Sequence, residues 1–457
     1  MSLWLAELAW TGERLLPRLL LEEEAGLLRR VEELGDAQVP PGAKVLTGLT
    51  LPGLANVHSH AFHRALRGRC QAPEQGGKDF WEWRRRMYAL ASFLEPDQYF
   101  ELSRATMGEM TLAGITAVGE FHYLHHQPGG QPYQRPEMEN ALIAAATEAG
   151  LRLTLLDTCY LRSGFEGAPL TGAALRFSDQ DAWAWARRTD QLGDTAQLRR
   201  GAAIHSVRAM DQASMRVVAG WAAERSAPLH LHLSEQPAEN TACLRATGLT
   251  PTELVDSCGV LGARTTAVHA IHLTRVDIAR LGETGTRICV CPTTERDLAD
   301  GVCPADELQA AGSPLCVGTD SNAMVDLFEE ARAVELDRRL ATGHRGQLSS
   351  GDLLNAATSQ GMAALGWEAG ELRPGFLADF TCLELSTPRL AGAGLTDLLS
   401  RVVFGASAAD VRSVVIGGTE VVREGRHLRL GSVAEKLENV LAELEPAWRA
   451  ALNQMPA

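Results

Sequence analysis

The sequence predicts an α/β fold: a (β/α)8 TIM barrel with a small β-sandwich domain built from both chain ends. Three observations carry this reading. Eight short apolar runs recur along the chain, stretches with helical periodicity separate them, and His or Asp stands at the end of five of the eight runs. The runs are 51–58 (LPGLANVH), 115–121 (ITAVGEF), 151–157 (LRLTLLD), 201–205 (GAAIH), 228–233 (PLHLHL), 265–269 (TTAVH), 287–291 (RICVC) and 314–319 (PLCVGT). Between them, 138–149, 210–225 and 324–342 carry apolar residues three to four apart, the helix period. Eight strand-then-helix units over about 270 residues suit one barrel.

The two ends break this rhythm. Within 368–430, "ELRPGFLADFTCLEL" and "VRSVVIGGTEVVREGRH" read as hairpin strands with Gly punctuation, and they are expected to pair with residues 1–50. The barrel then occupies 51–367, the small β-sandwich 1–50 and 368–430, and a helical tail 431–457. In that tail Leu437, Val440, Leu441 and Leu444 share one helical face over 433–445, and Pro446 is expected to kink or end the helix.

A hydrophobic content of 45% over 457 residues can fill such a core. A net charge of −14 with only three lysines argues against nucleic-acid or anionic-membrane partners. The first residues show no basic stretch ahead of an apolar one, and no apolar run reaches the roughly 20 residues that span a bilayer, so a soluble, cytoplasmic protein is expected. Nine scattered cysteines form no paired framework and are read as reduced thiols. The C-x-C of Cys289 and Cys291 lies in an apolar run, where burial in a strand accounts for it better than metal binding does.

His58 and His60 are two apart at the end of a strand, and the period of two puts both rings on one face. That is a chelating geometry, although two histidines satisfied by ordinary hydrogen bonds would share the spacing. In a barrel of this type, catalytic groups gather at the C-terminal strand ends. Strand four ends in His205, strand five in "HLHLSEQ", strand six in His269 and strand eight in Asp320. Core packing alone does not account for five such ends.

This pattern resembles the amidohydrolase superfamily and lacks the strand-four lysine of its two-metal members. The H-x-x-E of His232 and Glu235 is similar to that of the mononuclear deaminases. "NVHSHAFHRAL", "DFWEWRRRMY", "AGITAVGEFHYLHH", "IHSVRAM", "HLHLSEQ" and "CPTTERDLADG", in order from about residue 50 to 322, resemble the N-formimino-L-glutamate deiminase family of histidine degradation. The resemblance implies a metal-dependent amidohydrolase barrel, a small dicarboxylate substrate and a homodimer. It implies His58, His60, His232 and Asp320 as ligands of one Zn²⁺ per chain. Three imidazoles and a carboxylate leave a position for water, whose pKa a catalytic zinc lowers to about 7. Fe²⁺ or Mn²⁺ could occupy the same donors.

By the same resemblance, Glu235 protonates the departing nitrogen, Asp320 accepts the proton of water and His269 stabilises the attacking oxygen. Arg84, Arg208, His205, Tyr123 and His63 match substrate-binding positions, and guanidinium groups suit a dicarboxylate. Arg85 and Arg86 are read as solvated, and His230, a layer deeper than His232, as a core or supporting residue. Two departures stand out: His63 replaces the family's usual glutamine, and "TDSN" with Asn322 replaces "SDSH". His63 could retune the pocket for a related N-formimino or guanidino acid. A ring deaminase would share the metal donors, but "CPTTE" differs from the "CPxSN" of many ring deaminases. A non-catalytic barrel would be expected to lose donors or Glu235, and none is lost.

Overall fold

Two eight-stranded sheets organise the chain in the computed structural model, which describes residues 2–72, 80–392 and 394–455. The first begins with β1 (Ser2–Trp10), β2 (Leu15–Glu24), β3 (Leu27–Glu33) and β4 (Lys44–Pro52). The second is the barrel: β5 (Leu54–Ser59), β6 (Ile115–His122), β7 (Arg152–Cys159), β8 (Leu198–Ile204), β9 (Leu229–Leu233), β10 (Thr265–His269), β11 (Arg287–Val290) and β12 (Leu315–Val317). Adjacent barrel strands run parallel in chain order, with helices between them. Most of their residues are buried on both faces, which is why they read as near-continuous apolar runs.

The chain then returns to the first sheet with β13 (Phe380–Leu383), β14 (Val411–Ile416), β15 (Thr419–Arg423) and β16 (Arg426–His427). Antiparallel pairing of β13 with β4 joins the two ends of the chain, in the order β16-β15-β14-β13-β4-β1-β2-β3. Trp4, Leu19, Leu21, Leu28, Leu46 and Phe380 form a core for this small β-sandwich separate from that of the barrel.

Beyond β12, Asp320 pairs with Ser59 and closes the barrel. The Asp320 amide donates to His58 O at 2.8 Å, and the His60 amide donates to Asp320 O at 2.9 Å. Gly318 makes this approach possible, since a Cβ there would stand 2.7 Å from the His58 amide nitrogen. Closure therefore brings two strand-end residues, His58 and Asp320, together.

The structure corrects three details. The run at 51–58 is not one strand: Leu51 and Pro52 end β4, and β5 starts at Leu54. Gly53 is the break between sheets, where a Cβ would collide with Thr116 Oγ1 at 2.2 Å. Cys291 lies outside β11 and precedes the helix Pro292–Leu298, although all nine cysteines are buried free thiols. Finally, the tail helix Val433–Gln454 does not end at Pro446. Buried Trp448 anchors the turn beyond it, donating Nε1 to Arg86 O at 3.2 Å, so tertiary contact offsets the missing backbone donor. No helix among the described residues is long and apolar enough to cross a membrane.

Candidate active site

The polar residues at the C-terminal ends of the barrel strands converge on one cavity that opens to solvent. His60, His63, Arg84, Tyr123, His205, Arg208, His232, Glu235, His269 and Asp320 all line it, and His58 lies fully buried behind them. Asp79, which opens the "DFWEWRRRMY" stretch, lies outside the described residues.

Backbone carbonyls fix two of the rings. His60 Nδ1 donates to Phe121 O and His232 Nδ1 to His205 O, each at 2.9 Å, so the Nε2 lone pairs of both rings face the cavity. His232 Nε2 then stands 3.1 Å from His58 Nε2, and Asp320 Oδ1 lies 3.4 Å from both His58 Nε2 and His60 Nε2. The donor atoms of His58, His60 and His232 lie within 4.8 Å of one another. Burial lowers the pKa of all three rings and keeps them neutral. Burial would raise the Asp320 carboxyl, but His58 at 3.4 Å, His60 and the charged His269 hold it well below the usual range. Neutral imidazoles, a carboxylate and converging lone pairs are the donor set a divalent transition metal needs.

His269 stands between two acids, its Nε2 3.9 Å from Glu235 Oε1 and 3.7 Å from Asp320 Oδ2. On its other side Nδ1 donates to Glu295 Oε1 at 3.2 Å. Burial opposes charge on this ring, but Glu235, Glu295 and Asp320 outweigh it and raise its pKa to about 10. His230 is a core residue, with Nε2 3.1 Å from Ala364 O and a pKa pushed down to about 3 by burial.

The loops that carry these groups are strained. Ser234, His269, Ala270, Asp320 and Asn322 all adopt left-handed φ values between 47° and 71°. Such conformations persist where the surroundings impose them, and they cluster at functional sites. Asn322, one of the two departures in sequence, supplies part of that constraint. Its Nδ2 donates to His60 O at 3.0 Å and to Ser59 Oγ at 3.1 Å, and its Oδ1 accepts from Thr319 Oγ1 at 2.7 Å. His63, the other, is hydrogen-bonded through Nε2 to Tyr123 Oη at 2.8 Å, and burial lowers its pKa to about 3, so it faces the cavity neutral.

The two cavity arginines are held differently. Tyr88 Oη accepts from Arg84 Nε at 3.0 Å and Nη2 at 2.6 Å, one helical turn along Phe80–Ala91. Arg208 Nε lies 3.2 Å from Glu239 Oε2; burial opposes the charge on Arg208, and Glu239 reinforces it. Arg85 and Arg86, expected to be solvated, are half-buried and paired with Glu82 at 2.7 and 2.9 Å. Tyr88, Glu239 and Glu295 have no role in the sequence reading. The four-residue spacing of Arg84 and Tyr88 on a helix was an available signal for the first.

A separate cluster, His122, His125 and Glu139, also has metal-like spacing. Arg188 already donates Nη1 to Glu139 Oε1 at 2.6 Å, Nη1 and Nη2 to Asp157, and Nε and Nη2 to Asp179, so this is a buried ion-pair network behind the site.

Residues 49–421 match the amidohydrolase family. The chain belongs to this family. Among amidohydrolase relatives, formimidoylglutamate deiminase of Pseudomonas aeruginosa is 34% identical over 414 residues, covering 88% of this chain and 91% of that protein. An 8-oxoguanine deaminase of the same species is 32% identical, covering 86% and 88%. A 5-methylthioadenosine/S-adenosylhomocysteine deaminase of Natronomonas pharaonis is 29% identical, covering 87% of each. An amidohydrolase crystal structure from Brucella melitensis superimposes with a TM-score of 0.88 at 29% identity, covering 97% of this chain and all of that one. These likenesses group the chain with the superfamily's deaminases, which differ in the substrates their names give.

Proposed function

We propose that the protein is a metal-dependent deiminase that hydrolyses N-formimino-L-glutamate to N-formyl-L-glutamate and ammonia. The observation that carries this reading is the placement of Arg84 and Arg208 in the same cavity as the His58, His60, His232 and Asp320 cluster. Two guanidinium groups suit the two carboxylates of this substrate, whereas an uncharged ring gives them no comparable task. The likeness to formimidoylglutamate deiminase supports the same choice.

A divalent metal held by His58, His60, His232 and Asp320 would supply a Lewis acid that brings the pKa of water toward neutrality. The chain's own groups do the rest. Arg84 and Arg208 hold the carboxylates and so aim the formimino carbon at the cluster, with His63, Tyr123 and His205 beside them. Asp320 takes a proton as the water oxygen attacks that carbon, and His269 stabilises the charge on the attacking oxygen. From the adduct of the protonated formimino group, Glu235 gives a proton to the terminal nitrogen, the C–N bond breaks, and ammonia leaves as the remaining hydroxyl proton returns to Glu235 and the carbonyl forms. His269 lies within 4 Å of both acids, as these roles require.

Steady-state ammonia release from N-formimino-L-glutamate, N-formimino-L-aspartate and several aminated purines and pyrimidines tests the assignment. The expected result is a kcat/KM highest for N-formimino-L-glutamate. A higher value for any ring substrate would overturn it.

A further inference from the structure

We propose that Glu239 is a positioning residue that aims Arg208 at the substrate and ties it to the loop bearing Glu235. The inference deepens the proposed function and rests on Arg208 holding a substrate carboxylate. Glu239 lies in the first turn of the helix Pro237–Thr247, four residues after Glu235, and is only 7% exposed. Its two oxygens serve two different loops. Oε1 accepts from the Ser234 amide at 3.2 Å, in the loop after β9, and Oε2 lies 3.2 Å from Arg208 Nε, in the loop after β8.

A guanidinium carries its Nε–H apart from the end-on pair of Nη groups. Glu239 meets the guanidinium at the Nε edge, as an ion pair and not as a hydrogen bond, and the Nη groups of Arg208 meet no hydrogen-bond acceptor among the described residues, although Arg208 lines the cavity. The end that can grip a carboxylate through two parallel hydrogen bonds is therefore left open. Ser234, the other partner, has a left-handed φ of 51° and immediately precedes Glu235. One buried carboxylate thus constrains both the anion clamp and the strained turn that places the acid.

A simpler role exists for an acid in this position, since a carboxylate in the first turn favours its helix through the macrodipole. That role affects folding and is independent of Arg208. The two are separated by kcat and KM for N-formimino-L-glutamate, and by the inhibition constant of glutarate, in wild type, Glu239→Gln, Arg208→Met and the double variant. Metal content and thermal midpoint are measured alongside.

Gln can still accept from the Ser234 amide but carries no charge for Arg208, so the expected result is that Glu239→Gln raises KM and the glutarate constant about tenfold, holds kcat within about twofold, and adds nothing further in the Arg208→Met background. An unchanged or lower KM, or a loss that adds to that of Arg208→Met, would overturn the inference. If Arg208→Met itself leaves KM and the glutarate constant unchanged, the carboxylate clamp fails and this inference falls with it. If Arg208→Met is impaired and Glu239→Gln is not, only the role of Glu239 falls. Should Glu239→Gln fail to fold, Glu239→Asp gives the same readout, because it keeps the charge but is too short to span both partners.

Discussion

His232 Nε2 stands 3.1 Å from His58 Nε2 while the other nitrogen of His232 is committed to a backbone carbonyl. Two neutral rings brought together in this way need a proton or a cation between them. Asp320, 3.4 Å from His58 and His60, supplies negative charge on the same side. The arrangement accounts for the strain at Asp320, because the barrel seam and the donor cluster are made by the same residues.

Wild-type protein is accordingly expected to hold one transition metal per chain, and His60→Ala or Asp320→Asn to lose most of it. Elemental analysis after gel filtration checks this directly. Full stoichiometry and activity in both variants would remove these residues from the metal site. Metal that binds only the folded state also stabilises it, so chelation should lower the thermal midpoint and Zn²⁺, Mn²⁺ or Fe²⁺ should restore it.

Glu235 is within 4 Å of His269 and lines the cavity. Glu235→Gln keeps the shape but cannot pass a proton, so kcat is expected to fall by about 10²-fold or more with metal content unchanged. An unaltered kcat would exclude Glu235 as the acid.

Behind the site, Arg188 binds Glu139, Asp157 and Asp179. Burial would raise the Glu139 carboxyl, but Arg188 and the hydrogen bonds from His122 and His125 hold it well below the ordinary range, and Asp179 is lowered in the same manner. A carboxylate depressed on folding adds stability that is full above its unfolded pKa of about 4 and is lost as pH falls below that value. Arg188→Met should therefore cost about 3–5 kcal/mol at pH 7 in urea unfolding, and the gap to wild type should narrow below about pH 4. Equal midpoints at pH 7 would show that the network contributes no net stability.

The barrel is legible in the sequence because its strands are buried on both faces, and because the strand-end histidines have no ordinary packing reason to recur. His58, His60, His232, His269 and Asp320 could be placed from strand ends alone, since the barrel topology brings every such end to one rim. What was not legible depends on long-range contact. Glu139 and Arg188 are 49 residues apart, and nothing local marks them as partners. Gly53 reads as part of a strand until the approach of Thr116 is seen, and Pro446 reads as a kink or an end of its helix until Trp448 is found anchored beyond it. Glu239 follows Glu235 by four residues, yet its partner Arg208 comes from the preceding strand-end loop.

The most direct test of the central claim compares kcat/KM of wild type, Arg84→Met and Arg208→Met on N-formimino-L-glutamate and on a formimidoyl amine of similar length without carboxylates. Removing one partner of a buried charge pair typically costs about 2–5 kcal/mol, a loss of at least about 30-fold in kcat/KM. The loss should fall on the dicarboxylate alone, with metal content intact. Equal losses on both substrates would contradict the account, since the arginines would then support the fold and bind no carboxylate.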